Sequence, residues 1–209
     1  MIPGVVLAAG KSTRMGRPKA TLPLGPDTFL TRVIKTFQQA GVEDVVVVVG
    51  HERESVVESV ISRGLAARFV VNESYESGQL SSIVAAIRAI DRPGVTGMLL
   101  TLVDVPLASS DTVRGVVERY RSTHAPVVRP VNGDRHGHPV VIDRSLFDVL
   151  RAASPSTGAK PIVRAHASPL GDIVVEDEGC FMDIDTPEDY TRLLDELSRL
   201  GSRSSVREP

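Results

Sequence analysis

The sequence predicts an α/β protein in which helices cover both faces of a right-handed sheet. Three apolar runs, at Val5–Ala8, Val45–Val49 and Met98–Val103, have the composition of parallel strands that are buried on both sides. Amphipathic helical patterns lie between these runs, and alternation of strands with helices is typical of this fold class.

The helices are predicted from apolar residues that recur three or four positions apart, which places them on one helical face. Gly64 is the expected C-cap of the second helix, and either Ser109 or Ser110 could cap the start of the fourth. The four patterns span Leu30–Phe37, Val56–Ile61, Ile83–Ile90 and Val113–Tyr120.

The second half of the chain predicts shorter strands and one further helix. That helix begins with Thr186 as N-cap and Pro187 at the first helical position. Its expected buried face consists of Tyr190, Leu193, Leu194 and Leu197. The strands and the long polar loop between the first two of them are expected at Val127–Arg129, Val140–Ile142, Asp172–Val175 and, for the loop, Asn132–His138.

Composition indicates one soluble domain that acts on a small molecule. We expect a single domain over residues 1–200 and a disordered tail over 201–209, which is small, polar and charged. The net charge is −2 and aromatic residues make up only 4%, so no nucleic-acid or anionic membrane surface is expected. No apolar run reaches membrane length, and a single cysteine excludes an intrachain disulfide framework, so a cytoplasmic protein is expected.

The segment Val6–Lys19, VLAAGKSTRMGRPK, resembles the end of a Walker loop but lacks its first glycine, because Val5 stands at that position. The spacing of Gly10 and Gly16 does not match the Rossmann fingerprint either. What remains is a strand ending in small residues, where a ligand can lie against backbone amides, followed by two cations suited to phosphate, Arg14 and Lys19. An ordinary solvated loop is the alternative.

The stretch LAAGKSTRMGRPK resembles the signature of the molybdenum-cofactor nucleotidyltransferases. The likeness covers nearly the whole chain, from about Val5 to Leu197, through four further stretches: ESGQLSSI, LVDVPL, GHPVVI and DIDTPEDY. LAAG together with GHP is more similar to the molybdopterin cytidylyltransferase branch than to the guanylyltransferase branch. The resemblance implies a three-layer α/β/α, Rossmann-like fold of the GT-A kind with a mostly parallel mixed sheet.

The resemblance also implies roles for individual residues. Arg14, Lys19 and Asp104 are the expected catalytic residues, and Gly137, His138 and Pro139 are expected on the acceptor side. Ser81, next to one of the nucleotide-binding residues, could equally be a helix cap. The expected nucleotide-binding residues are Leu7, Ala8, Ala9, Gly10, Ser12, Arg14, Lys19, Gly78 and Ser82.

A magnesium site is expected at the carboxyl end of the strand that precedes Asp104, where open α/β sheets bind ligands. Asp183 and Asp185 alternate, so they should point to opposite sides, and one of them could meet Asp104. Alternatively, Asp104 could bond nearby backbone amides in a turn, and Asp185 could interact with the positive end of the dipole of the helix that follows it. The family implies Asp104 and Asp185 as the ligands of Mg²⁺, although many relatives carry Asn at the second position.

The function that follows is Mg²⁺-dependent transfer of a nucleoside monophosphate, from CTP by preference, to molybdopterin or molybdenum cofactor. A molybdoenzyme or its maturation factor is a possible partner. The alternatives are a different phosphorylated acceptor, a GTP-using guanylyltransferase, or a cofactor-binding chaperone without catalysis. Among weaker candidates, His136 lies in the acceptor loop, Thr157–Lys160 could bind an anion or simply start a helix, and Cys180 is expected to be a small buried residue at a strand edge.

Overall fold

The structure is a computed structural model that describes residues 1–204, with side chains through residue 198. The strands are β1 (Gly4–Ala8), β2 (Pro23–Leu24), β3 (Asp27–Thr28), β4 (Val45–Val49), β5 (Arg68–Val71), β6 (Gly97–Leu102), β7 (Val127–Asn132), β8 (Arg135–His136), β9 (Val140–Asp143) and β10 (Asp172–Val174). The helices are α1 (Phe29–Gln39), α2 (Arg53–Ile61), α3 (Gln79–Ile90), α4 (Ser110–Thr123), α5 (Phe147–Ala152), α6 (Lys160–His166) and α7 (Pro187–Ser204).

The main sheet has the strand order β10-β7-β9-β6-β1-β4-β5, with β8 paired to β7 and with β2 and β3 forming a separate hairpin. Strand β1 lies between β4 and β6 and pairs with both in parallel. Strand β9 runs antiparallel to both of its neighbours, β6 and β7. The sheet is therefore mixed and mostly parallel, and the predicted three-layer α/β fold is confirmed.

Successive side chains of the central strands enter different layers of the core, because a strand has a period of two residues. On β1, Val6 and Ala8 belong to the cluster that contains the apolar faces of α1, α2 and α4. Val5 and Leu7 belong to the cluster on the other face, with α3 and α5. The continuous apolar runs of the sequence follow from this burial on both sides.

Three of the four helical patterns are buried along their whole apolar face, as predicted for α1, α3 and α4. The side chain of Ser109 accepts a hydrogen bond from the backbone N–H of Thr112 at 3.1 Å, so Ser109 is the cap of α4. The prediction was wrong for the end of α2, where Ser62 is the C-cap and Ile61 is 59% exposed. The chain turns tightly after Ser62, and Gly64 donates its N–H to the carbonyl of Ile61 within that turn.

Helix α7 begins as predicted. Its first turn has reciprocal caps: the Asp189 N–H donates to Thr186 Oγ1, and the Thr186 N–H donates to Asp189 Oδ2. Of its expected buried face, Leu193 is buried and Leu197 is exposed. The helix continues to Ser204 and so includes the start of the segment predicted as a tail, whereas residues 205–209 lie outside the described part.

Several elements have no counterpart in the sequence-based prediction. Strand β5, helix α5 and the β2–β3 hairpin are short or lack a clear period. The polar loop at 132–138 is partly a hairpin, because β8 pairs with β7. Between residues 1 and 204, no helix is both long enough and apolar enough to cross a membrane.

Candidate active site

A cavity of about 380 Å³ lies at the carboxyl ends of β1 and β6, where the first loop leaves the sheet. Both expected metal ligands, Asp104 and Asp185, line it. So do all nine residues that the sequence assigned to nucleotide binding: Leu7, Ala8, Ala9, Gly10, Ser12, Arg14, Lys19, Gly78 and Ser82. The fold therefore brings together residues from four separate parts of the chain.

The loop after β1 folds back on itself, which positions its two cations. Ser12 has a φ of 50°, in the left-handed region that is uncommon for residues other than glycine. Its hydroxyl accepts a hydrogen bond from the Lys19 N–H at 3.1 Å, and its carbonyl accepts one from the Met15 N–H at 2.8 Å. These contacts hold the two ends of the loop close together, so that Arg14 and Lys19 line the same cavity.

Lys19 lies between the two aspartates. Its ammonium Nζ is 2.9 Å from Asp104 Oδ2 and 2.5 Å from Asp185 Oδ1, and its side chain is only 10% exposed. Burial lowers the pKa of Lys19, but the hydrogen bonds to Asp185 and Asp104 outweigh this effect and raise the pKa overall. The side chain is therefore a fully charged counter-ion of both carboxylates.

Asp104 has one carboxylate oxygen without a partner. Oδ2 accepts from Lys19, while Oδ1 is buried and has no hydrogen-bond donor. An unpartnered buried carboxylate oxygen beside a second carboxylate suits a hard cation, because Mg²⁺ takes one or two protein carboxylates and completes its shell with phosphate and water. Within residues 1–204, no group of three His, Cys, Asp or Glu side chains is arranged to hold a metal. The residues present thus fit a metal that a substrate helps to bind.

Asp183 and Asp185 face different cavities, in keeping with the expectation from their alternation. Asp185 faces the first cavity, where Oδ2 is 3.5 Å from Nη2 of Arg14. The hydrogen bond from Lys19 lowers the pKa of Asp185. Asp183 lines a second cavity, and partial desolvation together with the charge of Asp104 raises its pKa. The carbonyl of Asp104 accepts from the N–H of Ile184, which places the two aspartates on either side of it.

The start of α3 forms another wall of the first cavity. Gly78 has a φ of 96°, a conformation that side chains rarely adopt, and it directly precedes the helix. Asn72 is buried and donates from Nδ2 to the hydroxyls of Ser81 and Ser82, at 2.8 and 3.0 Å. Ser81 donates in turn to the carbonyls of Gly78 and Ser74, so it stabilises the turn but does not cap the helix. Of Ser81 and Ser82, only Ser82 lines the cavity.

Tyr75 and Gln79 line the first cavity and were missed in the sequence. Tyr75 packs against Gly50, where a Cβ atom would lie 2.8 Å from the tyrosine ring and 2.9 Å from the carbonyl of Ala9. A glycine at position 50 thus lets the ring approach the end of β1. The available signal was the ESGQLSSI stretch, which contains Gln79 and directly follows Tyr75, but the position of both residues in the cavity wall depends on the fold.

The second cavity, of about 490 Å³, adjoins the first and shares Gln79 and Leu102 with it. Two of the three residues predicted on the acceptor side, Gly137 and His138, line it, whereas the third, Pro139, lines a small void between α1 and β6. A Cβ atom at Gly137 would lie 2.4 Å from the Cys180 carbonyl, so only glycine fits there. The peptide bond between His138 and Pro139 is cis. Burial lowers the pKa of His138, which favours a neutral imidazole.

A family model described as "MobA-like NTP transferase domain" matches residues 4–170. The chain belongs to this family. Two relatives align over nearly their whole length. Nicotine blue oxidoreductase from Paenarthrobacter nicotinovorans is 32% identical over 92% of this chain and 96% of its own. Purine catabolism protein PucB from Bacillus subtilis is 29% identical over 90% of this chain and 93% of its own.

Further comparisons agree with the family. A probable molybdenum cofactor guanylyltransferase from Opitutus terrae is 32% identical over 62% of this chain and 61% of its own. Rv0371c from Mycobacterium tuberculosis, solved in complex with manganese, superposes with a TM-score of 0.75 at 29% identity, covering 93% of this chain and 98% of that one. A nucleotidyl transferase from Methanothermobacter thermautotroptrophicus has a TM-score of 0.77 at 25% identity, covering 96% and 99%. The predicted family and enzyme class are confirmed: this is a MobA-like nucleotidyltransferase.

The single cysteine of this MobA-like transferase lies in the wall of the second cavity. Cys180 is 1% exposed, and its thiol donates to the carbonyl of Asp177. Burial raises its pKa to about 12, so the thiolate needed of a nucleophile does not form at neutral pH. The residue is small and buried, as expected, but it lies in the 3-10 turn Glu178–Phe181 and not at a strand edge.

Proposed function

We propose that this transferase moves a nucleoside monophosphate from a nucleoside triphosphate, CTP by preference, to the phosphate of molybdopterin or molybdenum cofactor, releasing pyrophosphate. The observation that carries the proposal is the pair of adjoining cavities that share Gln79 and Leu102. The first contains the cations and carboxylates that suit a triphosphate. The second opens beside Asp183 and His138 and has room for a small-molecule acceptor.

In the proposed reaction an oxygen of the acceptor phosphate forms a bond to the α-phosphorus of the nucleotide. The bond from that phosphorus to the bridging oxygen breaks, and pyrophosphate leaves with the electron pair. An ionised phosphate needs no general base, which agrees with the lack of a histidine–carboxylate pair among the described residues that line the first cavity. Arg14 and Lys19 bind the phosphates of the nucleotide and hold the reacting groups in line.

Mg²⁺ is the proposed metal, and Asp104 and Asp185 would hold it. When bound, it supplies charge neutralisation to the phosphate oxygens. The unpartnered Asp104 Oδ1 supports this assignment, as does the manganese complex of the similar Rv0371c. Asp185 is preferred over Asp183 because it shares the first cavity with Asp104.

The identities of the acceptor and the base rest on similarity. The Opitutus terrae relative is named as a probable molybdenum cofactor guanylyltransferase, which favours molybdenum cofactor chemistry. Preference for CTP rests on the LAAG and GHP stretches at Leu7–Gly10 and Gly137–Pro139. We include in the proposal a cytoplasmic location and transfer of the product to a molybdoenzyme or its maturation factor.

The test is pyrophosphate release in the presence of Mg²⁺ and molybdopterin, with CTP, GTP, ATP and UTP compared one at a time. We expect release with CTP, and its loss in Asp104→Ala. Asp195→Ala is the matched control, because Asp195 is an exposed carboxylate of α7 outside both cavities. Release with GTP alone would replace CTP by GTP, and no release with any triphosphate would reject molybdopterin as acceptor.

Redox chemistry is the second candidate activity, because nicotine blue oxidoreductase aligns over 96% of its length. An oxidoreductase would consume NADH or NADPH in the presence of a redox dye and would need no nucleoside triphosphate. Pyrophosphate release without oxidation of the reduced cofactor supports nucleotidyl transfer. Binding of CTP and molybdopterin without either activity would instead favour a cofactor-binding chaperone.

A further inference from the structure

Helix α6 places two cationic side chains on the wall of the second cavity. Lys160, Val163 and Arg164 line that cavity, and their spacing puts them on one face of the helix. Ala159 is buried, and Ile162 and Val163 pack against the core, so the orientation of α6 is set by its apolar residues. Both charges therefore point towards the same space as Gly137 and His138.

These two charges have no counter-ion in the described part of the protein. Neither Lys160 nor Arg164 has a carboxylate oxygen within 4.0 Å among the residues that the structure describes. The chain has four lysines, all in the described part, and the other three pair with Glu76, with Asp104 and Asp185, and with Asp27. Lys160 has no such partner among the described residues, and it lines the second cavity.

The arrangement is unfavourable for the helix itself. A cation in the first turn opposes the helix dipole, and Lys160 is the first residue of α6. Like charges four residues apart repel, and Lys160 and Arg164 have this spacing. Neither charge is compensated by a carboxylate of the described residues, and both exposed side chains line the second cavity, where an anionic ligand would compensate them.

The other charges of the second cavity do not cancel this pair. Arg129 is already paired, with its Nε 2.9 Å from Asp172 Oδ1. Asp183 lies at the side of the cavity nearest to Asp104, where the reacting phosphate is expected. Asp134, which is exposed like Lys160 and Arg164, lies on the β7–β8 hairpin and forms no ion pair with either of them. The wall formed by α6 is the cationic part of the cavity.

We propose that Lys160 and Arg164 bind a second anionic group of the acceptor, separate from the phosphate that receives the nucleotide. The acceptor class is thus a small molecule with at least two anionic groups, and not a monophosphate whose remaining part is neutral or cationic. This inference rests on the proposed function, because it takes the second cavity as the acceptor site. It adds a specificity-determining pair that acts on binding.

The test compares two probes of equal length, hexyl phosphate and the matching hexanediol bisphosphate, by titration calorimetry in Mg²⁺ buffer. Wild-type protein is expected to bind the bisphosphate about tenfold more tightly, the size of one charge-assisted contact. Lys160→Glu and Arg164→Gln, tested as separate variants, should each abolish the preference for the bisphosphate. Arg121→Glu is the matched control, because Arg121 is exposed on α4 outside both cavities, and it should retain the preference.

Thermal unfolding separates a binding role from a structural one. Lys160→Glu places an acidic residue at the start of α6, four residues before Arg164, and should raise the melting temperature by about 1–3 °C. A stabilised variant without the bisphosphate preference supports the proposal. A wild type that does not prefer the bisphosphate, or a Lys160→Glu variant that keeps the preference, overturns it. The pyrophosphate assay reports independently on the proposed function, so the two can fail separately.

Discussion

The Nζ atom of Lys19 lies 2.9 Å from Oδ2 of Asp104, although the two residues are 85 positions apart in the sequence. Asp185 completes the contact from a third part of the chain. The ammonium group thus occupies the space between the two carboxylates that are expected to hold a divalent cation. The same side chain is expected to bind the phosphates of the nucleotide, so Lys19 has two alternative sets of anionic partners.

The first prediction is that Lys19 competes with the metal while no nucleotide is bound. Lys19→Met should raise the affinity for Mn²⁺ about tenfold, because a charge-assisted contact no longer has to be broken. The same variant should bind CTP more weakly than wild type. Free Mn²⁺ measured by electron paramagnetic resonance gives the first quantity, and calorimetry gives the second.

Lys35→Met is the matched control for that experiment. Lys35 Nζ lies 2.5 Å from Asp27 Oδ1, a similar ion pair that is distant from both cavities. Its removal should leave the affinity for Mn²⁺ unchanged. Equal or weaker Mn²⁺ binding by Lys19→Met would show that the lysine does not exclude the metal.

The second prediction distinguishes the two aspartates beside Ile184. Asp185→Ala should weaken Mn²⁺ binding at least about tenfold, because it removes the carboxylate of the first cavity that is proposed as a metal ligand. Asp183→Ala makes the same chemical change on the side of the second cavity and should have a much smaller effect. The reverse order of the two variants in the same Mn²⁺ titration would assign Asp183 as the ligand.

The third prediction concerns two of the glycines that line the cavities, Gly137 and Gly10. Gly137→Ala should lower the free energy of unfolding by about 1–3 kcal/mol, because its methyl group would overlap the carbonyl of Cys180. A methyl group at position 10 would meet no atom within 4 Å, so Gly10→Ala should unfold at the same or a higher urea concentration than wild type. It should nevertheless weaken CTP binding if the nucleotide lies against that backbone. Unchanged CTP binding in stable Gly10→Ala would remove Gly10 from the nucleotide site.

The fourth prediction is a loss of stability at alkaline pH that depends on Tyr120. The Tyr120 hydroxyl is buried and bonded to Asp143 Oδ2 at 2.6 Å and to the carbonyl of Thr96 at 2.5 Å. Burial, followed by the hydrogen bond to Asp143, raises its pKa from 10.0 to about 12. Because the pKa of Tyr120 is higher in the folded state than in the unfolded state, its neutral hydroxyl stabilises the folded protein. This stabilisation is fully present below pH 10 and is lost as the pH rises through about 12.

The size of that contribution is about 2–3 kcal/mol, and Tyr120→Phe should lack it. About half of it should be lost by about pH 11, midway between the two pKa values, and urea unfolding of both proteins from neutral pH to that value measures this loss, because other titrating groups are common to both. The difference in free energy of unfolding between them should shrink as the pH rises. A constant difference over this range would mean that Tyr120 ionises normally.

The strands and helices that the sequence predicted best are those with the strongest local pattern. The run Val45–Val49 matches β4 residue for residue, because a strand buried on both faces requires apolar residues throughout. The Thr186–Pro187 pair marks the start of α7, because capping depends only on neighbouring residues. Strand β5 was missed because it is a short edge strand in which no residue is fully buried. Its pairing with β4 is decided by the sheet and not by its own composition.

By itself the sequence determined the fold class, the family and the chemical character of the first cavity, because these depend on local patterns and on motifs of adjacent residues. Only the tertiary structure decided that Lys19 lies between Asp104 and Asp185, that Tyr75 and Gln79 line the same cavity, and that Pro139 lines a different cavity from Gly137 and His138. It also decided that α6 turns Lys160 and Arg164 into the second cavity. Such contacts join residues far apart in the chain, and their geometry is set by the packing of the parallel sheet and its helices, which no local pattern encodes.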